Sequence, residues 1–450
     1  MALHYLDALA GFAADVSYAS LSPGAAAAAR LILLDTLGAM LAGSAEPENA
    51  RLAGAMAERA TRPAASLIGH TARTDPLLAI FVNATAGVAL EVDEGNRWGG
   101  GHPAIHVVPG ALAVAEERGA DGVRLLEALV AGYEVSSRIG GATVPRGNVH
   151  SHGTWGTIGT AVAVARLAGY DARAMREVIN LAASMSPANT WTPALEGATV
   201  RNAYPGRSGM EGLLAVELHR AGFTGLPDAP SDVYGTILAD RFDPERALDD
   251  WGGPLRIEQN YFKFYACCRY NHPALDALEG IRAREPVRAE DVVAAEVIVF
   301  PFGLRMAAPT PASQLAAKFS IPWAVAASLV LGHGGLAAFG DAARGDARIR
   351  DLAGRVMVTA DAAMTPRRSD YPTSRLRLRL RDGRTLEEET GVVRGDAENP
   401  AGEGEVIAKF EALAAPVLGE RRARELAATV LDADELKNVA HLGPLLAPAR

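Results

Sequence analysis

Apolar residues recur at helical spacing through the first half of the chain, separated by short polar turns. From Pro23 to Leu41, alanine and leucine fill most positions, and Arg30 and Asp35 form one polar seam. Similar helical patterns occupy residues 75–90, 107–117, 122–139, 154–168 and 172–184. Most of these segments are rich enough in alanine for helices to approach one another closely. The first half of the chain is therefore predicted to be helical.

The pattern changes near residue 261. We predict a helix over 273–283, a strand over 292–300 and a helix over 321–331. Leucine and arginine then alternate over 375–386 around an Asp-Gly turn, which is typical of a β-hairpin with one buried face. Helical patterns resume after Pro400. Residues 226–233, rich in proline and aspartate, are expected to form a loop.

These elements predict a mainly α protein built in two parts. Both ends of the chain, residues 1–258 and 396–450, are expected to form one large all-helical domain. Residues 259–395 are expected to form a smaller α+β lid domain inserted between them. A chain of 450 residues is long enough for this arrangement and for a sizeable core.

Charge and composition exclude some classes of binding partner. The chain has 44 Lys and Arg against 53 Asp and Glu, a net charge of −9, and no basic block, so no nucleic-acid partner is expected. No uninterrupted apolar run reaches ~18 residues, so no membrane partner is expected either. The amino terminus lacks a secretory signal, and the adjacent Cys267 and Cys268 are poorly placed for a relaxed disulfide. A cytoplasmic location is the simplest expectation.

Two polar clusters adjoin apolar helices in the first half. In the first, Glu91 and Asp93 follow a helix, and a glycine-rich turn leads to His102. The alternative for this cluster is an ordinary helix end followed by a flexible loop. In the second, His150 and His152 precede an apolar helix, whose amino terminus favours anions, so a carboxylate could bind there.

Two further clusters offer cations. Arg201, Tyr204 and Arg207 form a polar turn before an apolar helix over 212–218, and arginine forks bind carboxylates, although the alternative is a pair of surface arginines. Lys263, one of only four lysines, lies among five aromatic residues. Partial desolvation by the rings would lower its pKa and make it a general base. A snorkelling lysine or a cation–π pair is the alternative.

A metal site is the alternative use of these histidines, because His102 and His106 are four residues apart and His150 and His152 two apart. Pro103 argues against both His102 and His106 facing one way from a regular helix. The chain also has no His-Glu-x-x-His pattern. No metal is expected.

Together these segments resemble the MmgE/PrpD family, which includes 2-methylcitrate dehydratase, cis-aconitate decarboxylase and iminodisuccinate epimerase. The likeness is carried, in this order, by the helix from Leu34 to Gly43, the acidic stretch ending in His102-Pro103, His150-Ser-His-Gly-Thr-Trp-Gly156, Gly206-Arg207, Lys263 with His272, Lys318-Phe-Ser-Ile-Pro322 and Glu405-Val-Ile-Ala-Lys-Phe410. It implies a helical domain with an inserted lid, a homodimer, an active site between the two domains, and no metal or organic cofactor.

By position, the family's acidic stretch corresponds to Glu91, Asp93 and Glu94, its His-Pro to His102-Pro103, its later histidine to His150, and its lid lysine to Lys263. Three departures stand out. Gly95 replaces a threonine, Arg201-Asn-Ala-Tyr204 replaces Lys-Pro-Leu-His, and Cys268 falls where the decarboxylases carry histidine.

The resemblance implies chemistry at the carbon next to a carboxylate. We expect a cofactor-independent lyase, foremost a dehydratase acting on a small di- or tricarboxylic acid such as a 2-methylcitrate-like substrate. The expected catalytic residues are Lys263, His150, His102, Asp93 and Glu91, and the expected substrate-binding residues are Arg201, Arg207, Tyr204, Arg269 and His272. An isomerase or epimerase, a decarboxylase, a non-catalytic carboxylate-binding protein and, more remotely, a metal-dependent hydrolase are the alternatives.

Overall fold

Helices dominate the computed structural model, which describes residues 4–364 and 373–449. Many begin at a side chain that caps free backbone N–H groups or at a proline, as in α2, where Ser22 accepts from the Ala25 N–H and Pro23 follows. The α-helices before the inserted region are α1 (Tyr5–Asp15), α2 (Pro23–Ser44), α3 (Pro47–Ala57), α4 (Pro76–Val88), α5 (Pro103–Arg118), α6 (Gly122–Ala142), α7 (Gly156–Leu167), α8 (Ala172–Ser184), α9 (Thr192–Glu196), α10 (Ala203–Arg220) and α11 (Ala229–Val233).

The remaining helices lie in and after the inserted region. They are α12 (His272–Arg284), α13 (Gln314–Lys318), α14 (Ile321–Leu331), α15 (Asp341–Gly345), α16 (Ala347–Ala353), α17 (Glu403–Leu418) and α18 (Glu420–Leu431). The strands are β1 (Ala65–Ser66), β2 (Arg73–Thr74), β3 (Gly95–Asn96), β4 (Thr143–Pro145), β5 (Ala239–Phe242), β6 (Asn260–Tyr261), β7 (Val292–Val299), β8 (Val356–Ala360), β9 (Ser374–Leu380) and β10 (Thr385–Thr390).

The larger of the two main hydrophobic cores among the described residues joins the two ends of the chain. It is formed by residues of α1, α2 and α5–α8 together with residues of α17 and α18. Helices α5, α6 and α7 pack tightly because small residues line their contacts, and α17 lies against α2. The carboxy-terminal helices therefore complete the core that the first half begins.

The smaller core lies around a four-stranded sheet in the order β10-β9-β7-β8. Strands β7 and β8 are parallel, whereas β9 is antiparallel to both β7 and β10. In β9, Leu376, Leu378 and Leu380 are buried, and the arginines between them face outward. Helix α12 packs on this sheet. The mainly α architecture with a small α+β part, predicted from the sequence, is confirmed. The boundaries at residues 259 and 395 stay predictions.

Several predicted elements differ in their limits. Helix α5 begins at Pro103, four residues earlier than predicted, so His102 caps the helix and His106 lies in its first turn. Helix α10 begins at Ala203, so the predicted polar turn at Arg207 is already helical. The predicted loop at 226–233 contains the short helix Ala229–Val233, which Asp228 caps by accepting from the Ser231 N–H. The polar residues at these helix starts are typical of loops, so the sequence did not indicate that the helices begin there.

Among residues 4–364 and 373–449, helix α2 is the one single helix long and apolar enough, by length and composition, to cross a bilayer. The bent pair Ile321–Leu331 and Leu336–Gly345 passes the same test together. Within the described chain, 72% of the most apolar window of α2 is buried. It packs against α4 and α17, as the central helix of a protein core does.

The crossing of α2 and α4 leaves no room for a side chain at Gly43. A Cβ there would lie 1.8 Å from the carbonyl oxygen of Ala86. We expect Gly43→Ala to lower the free energy of unfolding by about 1–3 kcal/mol, because the helices must move apart. The matched control is Gly54→Ala in α3, where a Cβ meets nothing within 4 Å and helix propensity should add about 1 kcal/mol. Urea denaturation of both variants decides; equal effects would contradict the packing argument.

Candidate active site

The acidic segment after α4 is buried and held in an unusual backbone conformation. Leu90 and Val92 pack into the smaller core, whereas Glu91 and Asp93 alternate with them and are each 1% exposed. Glu91 has a φ of 57°, a left-handed conformation that costs free energy for a residue with a side chain. Such a conformation persists only where surrounding contacts impose it.

Cations from four separate parts of the chain supply those contacts. The Arg201 guanidinium lies 2.5 Å from Glu91 Oε1. Lys263 Nζ lies 3.2 Å from Glu91 Oε2 and 3.6 Å from Asp93 Oδ1. Lys318 Nζ donates to the Ala89 carbonyl at 2.9 Å. Lys409 Nζ donates to the Val92 carbonyl at 2.7 Å and to Asp35 Oδ1 at 2.6 Å. Three of the four lysines in the chain thus converge on residues 89–93.

Lys263 is completely buried, but its expected protonation state is corrected by the structure. Burial alone would lower the pKa of the Lys263 ammonium. Glu91 and Asp93 outweigh that effect, so the pKa is raised. The expectation of a lysine tuned toward neutrality was based on the aromatic neighbours in sequence, which gave no sign of the two carboxylates. The two carboxylates thus stabilise the ammonium form of Lys263, and its role as a general base stays a prediction.

Lys318 is the buried lysine whose pKa falls. It is 2% exposed and contacts a carbonyl oxygen rather than a carboxylate, so burial lowers its pKa to about 8. Sequence reasoning left Lys318 out of the site. Two signals pointed to it: its rarity as a lysine, and its place in the Lys318-Phe-Ser-Ile-Pro322 segment that carries the family resemblance.

His102 is oriented by the acidic segment. Its Nδ1 lies 2.6 Å from the Glu94 carbonyl oxygen and 3.1 Å from Asp93 Oδ2. Two acceptors on one side require the proton on Nδ1, so in the neutral ring Nε2 carries the lone pair. Asp93, rather than Glu91, is the carboxylate beside His102. The Asp93 pKa is lowered, because Lys263 and His102 outweigh the effect of burial.

His150 has the opposite tautomer. Its Nδ1 accepts the backbone N–H of His152 at 3.0 Å, so the proton of the neutral ring is on Nε2. That Nε2 is buried and has no partner among the described residues. Burial and the charge of Arg201 place the pKa of His150 well below its ordinary value, which keeps the ring neutral. The indole of Trp191 lies against it, with ring centroids 4.1 Å apart.

Two further imidazoles complete the cluster. His106 uses both nitrogens, since Nδ1 lies 2.8 Å from the His102 carbonyl and Nε2 accepts the Gly153 N–H at 3.0 Å. His152 lies between His102 and His150, with ring centroids 4.7 and 5.0 Å away. His152 is not among the expected site residues, because the family resemblance places its histidine at His150.

The expected substrate-binding residues divide into two groups. Arg201 is buried beside Glu91, and its Nε has no partner among the described residues. Tyr204 is half-buried, with its ring edge toward His150 at 6.0 Å. In contrast, the Arg207 side chain is 50% exposed on α10 and lies near Glu211, so the structure does not bring it into the buried cluster. Its exposure follows from the early start of α10, which turns position 207 outward.

Arg269 and His272 are occupied by other protein groups. The Arg269 guanidinium forms an ion pair with the buried Asp396 and lies over the Tyr261 ring at 4.3 Å. His272 Nε2 lies 3.1 Å from the Cys267 carbonyl, and its Nδ1 lies 3.3 Å from Arg269 Nη1. His272 therefore has no free ring nitrogen for a substrate, and its contacts position the turn before α12. Its expected role as a direct ligand stays a prediction.

Two departures from the family pattern now have physical reasons. A Cβ at Gly95 would lie 2.4 Å from the Tyr261 ring, because β3 and β6 pair at these two residues. Position 95 thus has no room for a threonine side chain, because it lies against the segment that carries Lys263. Cys268 is buried, and burial raises the pKa of its thiol to about 12, which leaves the thiol neutral. Its backbone N–H donates to the Lys318 carbonyl at 2.9 Å.

Asp93, His102 and His152 are the residues most able to hold a metal. One potential ligand atom from each lies within 4.8 Å of the others. However, the Lys263 ammonium is 3.6 Å from Asp93 and would repel a dication, and Asp93 lies beside the protonated Nδ1 of His102. The charges of Glu91 and Asp93 are already balanced by Arg201 and Lys263. These contacts favour proton transfer over metal binding.

Comparison with known proteins gives consistent matches along the chain. Residues 7–239 match the MmgE/PrpD N-terminal domain, and residues 265–435 match the MmgE/PrpD C-terminal domain. Cis-aconitate decarboxylase of Aspergillus terreus is 23% identical over 447 residues, covering 93% of this chain and 91% of that protein. Cis-aconitate decarboxylase of Mus musculus is 25% identical over 394 residues, covering 83% and 79%.

The ion-paired cluster predicts a large effect of removing Lys263. Lys263→Met keeps the length of the side chain but leaves two buried carboxylates with one fewer counter-ion. We expect the free energy of unfolding to fall by about 3–5 kcal/mol. Lys437→Met is the matched control, because Lys437 is exposed. Equal stabilities of the two variants in urea denaturation would show that Lys263 does not balance the carboxylates.

Burial of His106 predicts a pH dependence of stability. Burial lowers its pKa from 6.5 to about 4. Between these values the unfolded chain binds more protons, so stability falls as the pH falls. This residue should contribute a loss of about 2 kcal/mol between pH 7 and pH 5. Urea midpoints at both pH values measure it. His106→Gln should show a correspondingly smaller loss, and an unchanged slope would contradict the assignment.

Proposed function

Because the chain belongs to the MmgE/PrpD family, we propose that it is a cofactor-independent lyase acting on a small di- or tricarboxylic acid, with dehydration as its leading reaction. The proposal is carried by one observation, the opposite tautomers of His102 and His150. The partly exposed His102 imidazole offers a lone pair and the buried His150 imidazole offers a proton, within a single cluster. Elimination next to a carboxylate needs both a base and a donor.

His102 is the proposed base. Its Nε2 takes the proton from the carbon next to a substrate carboxylate, while Asp93 stabilises the imidazolium that forms. His102 is also the least buried ring of the pair, with 12% of its side chain exposed, whereas His150 is 1% exposed. General base catalysis of this kind contributes on the order of 10²–10⁴-fold.

The negative charge that develops on the substrate carboxylate meets fixed donors. Arg201 Nε is buried without a partner, and Lys263 keeps one ammonium proton beyond those directed at Glu91 and Asp93. His150 Nε2–H is a third donor. Preorganised donors in a buried site can supply several kcal/mol to the transition state. Lys263 is thus proposed as an electrostatic residue rather than as the base.

The elimination needs no proton from outside the site. The His102 imidazolium returns its proton to the departing hydroxyl, the carbon–oxygen bond breaks, and water leaves with a carbon–carbon double bond formed. His102 ends the cycle neutral, as it began. Tyr204 and Trp191, both half-buried beside His150, are proposed to border the entrance.

Decarboxylation is the second candidate, because the similar proteins from Aspergillus terreus and Mus musculus are cis-aconitate decarboxylases. Loss of carbon dioxide leaves a carbanion that requires a proton from the site. Cys268 stands where the family's decarboxylases carry histidine, and its neutral thiol is a poor proton donor. This difference favours dehydration. Epimerisation on the same scaffold stays an alternative. A homodimer is proposed from the family resemblance.

The test is proton NMR of the purified protein in heavy water with 2-methylcitrate, citrate, tartrate and cis-aconitate as separate substrates. We expect a new vinyl signal from a hydroxy acid. His102→Asn should reduce turnover by roughly 10²–10⁴-fold. His219→Asn, on the far end of α10, should not, and a chelator should leave the rate unchanged.

The spectra separate the alternatives. If cis-aconitate loses a carboxylate carbon, the enzyme is a decarboxylase rather than a dehydratase. Deuterium incorporation without a vinyl signal would indicate epimerisation. A His102→Asn protein that folds and retains full activity would refute the assigned base.

A further inference from the structure

Lys409 and Asp35 form a buried ion pair between the two ends of the chain. Lys409 lies on α17 and Asp35 on α2, and their side chains are 9% and 1% exposed. Lys409 Nζ is 2.6 Å from Asp35 Oδ1. Both residues belong to segments that carry the family resemblance, residues 34–43 and 405–410, yet neither has a part in the chemistry proposed above.

The same ammonium group contacts the backbone of the acidic segment. Lys409 Nζ donates to the Val92 carbonyl at 2.7 Å. Val92 lies between Glu91 and Asp93, whose carboxylates both contact Lys263. Because a peptide unit is planar, the Val92 carbonyl and the Asp93 N–H can only rotate together. Holding this carbonyl therefore restricts the direction in which the Asp93 side chain leaves the backbone.

The restriction has a consequence because the acidic segment is not in a relaxed conformation. Glu91, with its φ of 57°, precedes the Val92 peptide directly. A residue with a side chain keeps such a conformation only where neighbouring groups impose it. The Lys409 contact is one of these, and without it the buried Val92 carbonyl would also lose its donor. Loss of Lys409 would therefore allow the segment to shift.

The pair acts on the site by geometry more than by charge. Asp35 balances the positive charge of Lys409, so together they add no net charge near Asp93. Lys263 differs in this respect, because its ammonium contacts the carboxylates of Glu91 and Asp93 directly. The two lysines thus hold the same segment in different ways.

We propose that Lys409 is a positioning residue for the active site, which it serves by fixing Asp93 against His102 through the Val92 carbonyl. This inference rests on the proposed function, in which Asp93 stabilises the His102 imidazolium. Asp93 Oδ2 is 3.1 Å from His102 Nδ1, so a small rotation of the Val92 peptide removes the contact. Asp35 in turn holds the Lys409 side chain in place. The carboxy-terminal helix α17 thereby takes part in catalysis without contacting the substrate.

The experiment removes the buried pair as a unit. Asp35→Asn/Lys409→Met leaves no uncompensated charge, which favours folding, but it deprives the Val92 carbonyl of its donor. We expect kcat to fall roughly 10–100-fold and KM to change less than about threefold, because the imidazolium forms only during the reaction. The substrate is the hydroxy acid, among 2-methylcitrate, citrate and tartrate, that wild-type protein converts. Lys409→Arg, which keeps the charge and the donors, should retain most of kcat.

Proton NMR of the full-length protein gives a readout that does not depend on turnover. The ring N–H signal of His102, identified by its absence in His102→Asn, should lie at low field because a carboxylate is beside it. It should move upfield in the double variant. Lys437→Met, which changes an exposed lysine, is the control and should alter neither kcat nor this signal.

Lys409→Gln is the second variant, and it decides the matter if the double variant does not fold. Its shorter amide reaches Asp35 or Val92 but not both, so an intermediate loss of kcat is expected. Wild-type kcat in a folded variant, a loss confined to KM, or an unmoved His102 signal would overturn the proposal. A moved signal in a protein that converts none of the acids would instead reject the lyase activity and leave the positioning of Asp93 by Lys409 standing.

Discussion

Two carboxylates must remain charged inside the protein, and the site depends on how that charge is balanced. Glu91 and Asp93 could not stay ionised in an apolar interior without partners, because desolvation of a charge costs several kcal/mol. Arg201 and Lys263 provide them, at 2.5–3.6 Å. The balance requires the turn before α10 and the chain after β6 to meet the loop after α4. These ion pairs therefore hold together segments that are far apart in sequence.

The same balance links the two hydrophobic cores. Lys263 and Lys318 come from the inserted region, whereas Glu91 and Arg201 come from the helical part. Lys263 is 0% exposed, and His150 and His152 are each 1% exposed, so the ion pairs and the imidazoles are shielded from water together. This shielding strengthens the attraction between Lys263 and its two carboxylates.

Much of the fold follows from periodicity, and less of the site does. Alanine-rich helices and the Leu-Arg hairpin were predictable because spacing determines which face is buried. The pKa of Lys263 was predicted in the wrong direction, because its carboxylate partners lie 170 or more residues away and spacing does not report them. Arg207 was misplaced for a local reason, since glycine and proline disguised the first turn of α10. Long-range pairing and helix starts are the features that a single sequence conceals.

The histidines show how one environment yields different chemistry. Burial keeps the rings of both His150 and His152 neutral, so a difference in pKa does not give them different chemical roles. Their hydrogen-bonding properties differ because of the groups beside each ring. A carbonyl and Asp93 place the proton of His102 on Nδ1, and an amide N–H places that of His150 on Nε2. Both ring nitrogens of His152 are buried without a partner among the described residues. The proposed base and the proposed donor can thus coexist at one pH, because a different set of neighbouring groups selects the tautomer of each ring.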